Sequence, residues 1–61
     1  MTFTAEEKFK CAVRELEMRR RVYPRWLEQG SMTEKKSERE LALMAEIADD
    51  YRELALKERL V

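Results

Sequence analysis

The chain has 61 residues, 13 basic and 13 acidic, with one cysteine and no histidine. That length allows one small domain, 1–61, burying only ~60% of the surface its unfolded form exposes. A lone thiol excludes an internal disulfide and a four-ligand zinc site, and zero net charge speaks against a general polyanion binder.

Thr4-Ala5-Glu6-Glu7 has the spacing of a capping box, in which the Thr4 hydroxyl accepts from the Glu7 amide and the Glu7 carboxylate accepts from the Thr4 amide. A first helix is therefore predicted over about 5–29. Phe9, Ala12, Val13, Leu16, Tyr23 and Leu27 recur at helical spacing as its inward face. Pro24 falls inside this pattern. It has no amide hydrogen and its ring collides with the carbonyl of Arg20, at a cost of ~3 kcal/mol or more in a helix interior. Two readings follow. The helix continues through Pro24 with a kink, favoured because Trp26 and Leu27 carry on the stripe, or it stops near Val22 and restarts. Gly30 then supplies the left-handed backbone that commonly ends a helix.

The turn is predicted at 30–33. Ser31 with Glu34 forms a second possible capping box, and Thr33 is an alternative cap. The second helix is expected over about 34–59, with Leu41, Met44, Ile47, Ala48, Tyr51, Leu54 and Ala55 turned inward. Two rods of similar length and a turn of about four residues make an all-α, antiparallel two-helix hairpin. Such a hairpin covers only one side of each apolar stripe. Dimerisation into a four-helix bundle would cover Phe9, Tyr23, Trp26 and Tyr51, as would docking on another protein. Nothing approaches the ~20 apolar residues of a membrane span, and the first residues do not form a secretory signal, so a cytoplasmic setting is expected.

Arg20 is the odd residue on the inward face of the first helix, and Glu40 aligns with Met44, Ile47 and Tyr51 on the second. Folding at 30–33 brings together positions whose numbers add to about 62. An Arg20–Glu40 ion pair across the hairpin is therefore expected, the alternative being that both side chains reach outward to water. On the outer side of the first helix, Cys11, Met18 and Val22 align, with Arg14, Arg21 and Arg25 on one flank and Trp26 near the other. Met, Trp and Arg are the types enriched at protein interfaces. Arg14, Met18, Arg21, Val22, Arg25 and Trp26 are thus the candidate partner-binding set. The plainer readings are scattered surface apolar groups or a face covered by the bundle partner. On the second helix, Glu46, Asp49, Asp50 and Glu53 form an acidic outer side, a solvated face or a match for the basic stripe of another copy. Residues 1–30 carry +2 and residues 31–61 carry −2.

No histidine base is present, and Ser31, Ser37 and Cys11 lack an activating partner, so no enzyme, catalytic residue, cofactor or metal is expected. The segment Met18 to Trp26, with Met32-Thr33, Arg39-Glu40-Leu41, Met44, Ile47 and Asp50-Tyr51, resembles small uncharacterised helical proteins encoded by bacteriophages and prophages of Gram-negative bacteria. The likeness spans roughly 8–52. It implies a phage setting and, by analogy with small phage proteins, binding and inhibition of a host protein such as a defence component. In size and layout alone the hairpin is similar to the plasmid regulator Rop, which makes RNA or DNA binding through Lys10, Arg14, Arg21 and Arg25 an alternative. A structural part in a phage assembly is another.

Overall fold

A computed structural model describes residues 2–60, with the backbone alone at Leu60; Met1 and Val61, the ends of the expected domain, lie outside the described residues. Helix α1 spans Ala5–Glu28 and helix α2 spans Glu34–Leu60. They pack on each other as an antiparallel hairpin measuring 47 × 17 × 17 Å.

The ends of the helices follow the local sequence closely. At the start of α1 the Glu7 amide donates to Thr4 Oγ1 at 3.1 Å, and the Thr4 amide donates to Glu7 Oε1 at 3.3 Å. Two amides that the helix itself leaves unpartnered are thereby satisfied. At its end Gly30 takes φ 73°, the Ser31 amide donates to the Trp26 carbonyl at 2.9 Å, and the Gly30 amide donates to the Leu27 carbonyl at 3.2 Å. These two bonds form a Schellman motif, which reverses the chain within one turn. The cap of α2 is Thr33 rather than Ser31, with the Lys36 amide donating to Thr33 Oγ1 at 3.2 Å.

α1 runs unbroken through Pro24, which is exposed. The proline removes the bond to the Arg20 carbonyl, but a solvent-facing position lets water replace it.

The core consists of Ala12 and Leu16 from α1 with Met44 and Ala48 from α2, flanked by Val13, Leu41 and Ala45. Ala5, Tyr23 and Ser37 are also buried. Two details depart from the sequence expectation. The buried line of α1 runs through Ala5, Ala12, Leu16 and Tyr23, turned about 30° from the expected stripe at 100° per residue. Alanines at 5, 12 and 48 let the two backbones close on one side, and that side wins over the bulkier Phe9–Val13 edge. On α2, Met44 and Ala48 point inward as expected, but Ile47 and Leu54 stay substantially exposed and Ser37, outside the expected stripe, is buried.

The same rotation corrects the expected cross-hairpin ion pair. Arg20 is exposed, and among the described residues it forms no ion pair with Glu40. Arg19 turns inward instead. Its Nε donates to Glu15 Oε1 at 3.0 Å and its Nη1 donates to the Glu40 main-chain carbonyl at 3.2 Å. Glu40 thus takes part through its backbone. The Arg59–Glu6 pair joins positions that add to 65, while two further contacts join positions that add to 59, Arg19 with the Glu40 carbonyl and Lys8 with its ammonium 5.7 Å from the Tyr51 ring centre, so the register lies near 61. The latter two contacts lie on one broad face of the hairpin. The other broad face carries an Arg59–Glu6 ion pair at 2.9 Å, exposed and therefore worth little.

Candidate protein-binding face

Residues 14, 18, 22 and 26 are four apart, so they form one ridge on α1 that climbs gradually around the helix. Arg14 begins it on the outer side. Met18 and Val22, half-buried, continue it, and Trp26 ends it near the seam with α2. Arg21 and Arg25 form the adjacent ridge and are exposed, as is Arg14. The six candidate residues are therefore contiguous: an apolar row edged by three guanidinium groups.

Trp26 is 40% exposed, and its ring stacks on buried Tyr23 with centroids 5.5 Å apart and planes 30° from parallel. The indole is held at its inner edge and offered at its outer one. That is the condition of a preorganised anchor, since little rotamer freedom remains to be lost on binding. Among the described residues, Arg14, Arg21 and Arg25 make no ion pair; the pairs formed are Lys10–Glu6, Arg19–Glu15 and Arg59–Glu6. The positive field of the ridge is thus not cancelled by a carboxylate in contact with it.

Toward the open end of the hairpin the ridge runs into a shallow groove of about 400 Å³, lined by Phe3, Glu7, Lys8, Lys10, Cys11 and Arg14. Cys11 is exposed. Phe3, at 62% exposed, precedes the helix and so falls outside any periodic pattern. Only its size and position ahead of the Thr4 cap mark it in the sequence.

α2 carries a second surface of opposite sign. Leu43 and Ile47 line an open groove with Glu46, Asp49 and Asp50. Leu43, Ile47, Leu54 and Leu56 are all between 37% and 47% exposed. Ile47 and Leu54 were expected inside, so an inward stripe drawn from the sequence conceals this outer one. Among the described residues, no three carboxylate or thiol groups converge closely enough to hold a metal ion, and no helix is long and apolar enough to cross a membrane. Compared with protein-family models, curated proteins and solved structures, the chain matches none.

Proposed function

We propose that this chain is a non-enzymatic protein-binding module that acts through the α1 ridge of Arg14, Met18, Arg21, Val22, Arg25 and Trp26. The observation that carries the reading is the half-exposed indole, stacked on Tyr23 at the end of an apolar row whose outer flank bears Arg14, Arg21 and Arg25, which form no ion pair among the described residues. Trp26 and Met18 serve as apolar anchors, and the guanidinium groups reach carboxylates on the partner. The resemblance of the Met18–Trp26 segment to phage-encoded proteins supports a partner in the host cytoplasm, with a defence component as the class to examine first and inhibition by occlusion as the mode of action.

The reading is tested by affinity capture from host extract, comparing the natural chain with a Met18→Glu/Trp26→Ala variant of equal helicity. A protein retained by the first and lost by the second is expected. Equal recovery of the same proteins by both removes the ridge from consideration. Nucleic-acid binding through Lys10, Arg14, Arg21 and Arg25 gives a different result: gel-shift complexes at low salt whose affinity falls steeply as salt rises. The acidic side of α2 opposes it.

A further inference from the structure

We infer that a second copy of this chain docks on the broad face bearing Met18, Cys11, Leu43 and Ile47, so that α1 of each copy lies on α2 of the other. This rests on the protein-binding reading and names a second copy as the occupant of the apolar row of that ridge.

The two outer surfaces are complementary in sign. The outer side of α1 carries Arg14, Arg21 and Arg25, and the outer side of α2 carries Glu46, Asp50 and Glu53, all exposed. Both sides also carry apolar groups, and both turn toward the same broad face. Helical spacing from the contacts Arg19–Glu40 and Lys8–Tyr51 places Cys11, Met18 and Val22 on that face of α1 and Leu43, Ile47 and Leu54 on that face of α2. On the opposite face Arg59 and Glu6 already pair within the chain.

Symmetry then selects the arrangement. A two-fold axis parallel to the helices keeps every residue at its own level along the rod and sets α1 antiparallel on α2 of the other copy. The register seen inside the hairpin therefore holds across the axis. Met18 lies beside Leu43 of the second copy, Cys11 within a turn of its Ile47, and Arg14 within a residue of the level of its Glu46. A two-fold axis across the helices would lay α1 on α1 and α2 on α2, setting arginines against arginines and carboxylates against carboxylates, which costs affinity. The parallel axis yields a four-helix bundle with every neighbouring pair antiparallel.

The area is sufficient. A face of 47 by 17 Å offers roughly 800 Å², about what each partner contributes to an interface of standard size. The hairpin also has reason to use it, because among the described residues no large side chain is completely covered. Trp26, five full turns from Lys8 and so on the same face, is covered with Met18 by the second copy, whereas exposed Arg21 and Arg25 point outward and remain available to a different protein.

Sedimentation equilibrium on the full chain tests this. The natural sequence is expected to sediment as a dimer at micromolar concentration. Ile47→Glu should weaken association at least ~30-fold, the effect of losing an interface anchor. Leu56→Glu, on the opposite face, should leave it unchanged. Arg14→Glu and Glu46→Arg should each weaken the dimer, and the double variant carrying both should regain most of the loss, a readout that survives if the Ile47 variant fails to fold. A monomer at all accessible concentrations, or a dimer indifferent to both Ile47→Glu and the charge exchange, overturns the inference. The protein-binding reading is judged separately with an Arg21→Glu/Arg25→Glu variant, whose side chains point away from the second copy: a chain that still sediments as a dimer but loses a captured host protein supports that reading, and one that keeps it counts against the arginines.

Discussion

The two helices of this hairpin dispose of their apolar side chains differently. α1 turns Ala5, Ala12, Leu16 and Tyr23 onto its partner and leaves Trp26 as its only large aliphatic or aromatic side chain more than about a third exposed. α2 buries Met44 and Ala48 but keeps Leu43, Ile47, Leu54 and Leu56 largely outside. One facing helix can cover only one stripe of a rod, and α2 has apolar groups on more than one. The contrast separates the residues that hold the hairpin from those left over for something else, and it assigns most of the surplus to α2.

The largest expected effect sharpens that contrast. Leu16→Ala removes a buried side chain from the Ala12–Leu16–Met44–Ala48 cluster and should cost ~2–4 kcal/mol in denaturant unfolding at fixed protein concentration. Leu56→Ala, the same chemical change on the outer side of α2, should stay within ~0.5 kcal/mol. Equal costs would mean that α2 is rotated from the orientation described.

A smaller effect separates two adjacent arginines. Arg19→Met loses the charged donor that reaches the Glu40 carbonyl and should destabilise by ~1–2 kcal/mol. Arg20→Met, at an exposed position, should change stability by less than ~0.5 kcal/mol. The reverse order would restore the ion pair expected from the sequence pattern.

The hairpin turn offers a comparable test of the second cap. Thr33→Ala should cost ~1 kcal/mol, since Thr33 Oγ1 accepts from the Lys36 amide, whereas Ser31→Ala should be close to neutral by the same unfolding measurement.

These pairs also mark how far the sequence could be read. The Thr4–Glu7 box and Gly30 are local: each is decided by groups three to five residues apart, and both were legible along with the two-helix architecture. The choice between Arg19 and Arg20 is not local. It depends on a rotation of about 30°, set by how closely Ala5, Ala12 and Ala48 let the backbones approach, and the wheel of α1 alone does not contain that distance. α2 was harder still, because its apolar residues surround much of the helix. Ile47 and Leu54 match the helical period as well as Ala48 does, and nothing in periodicity favours a small residue such as Ser37 for the inside. The basic ridge was legible because its six residues lie on adjacent ridges of a single helix. The acidic apolar side of α2 was only half seen, its carboxylates noted, Ile47 and Leu54 assigned to the inward face, and Leu43 and Leu56 not singled out.

The central claim is that the hairpin alone leaves apolar surface which a second copy covers. Thermal melting of the natural chain over a hundredfold range of concentration tests it most directly, because a folded dimer gains stability from mass action and an isolated hairpin does not. The account predicts a midpoint that rises steadily with concentration. A midpoint that stays fixed across the whole range would contradict it.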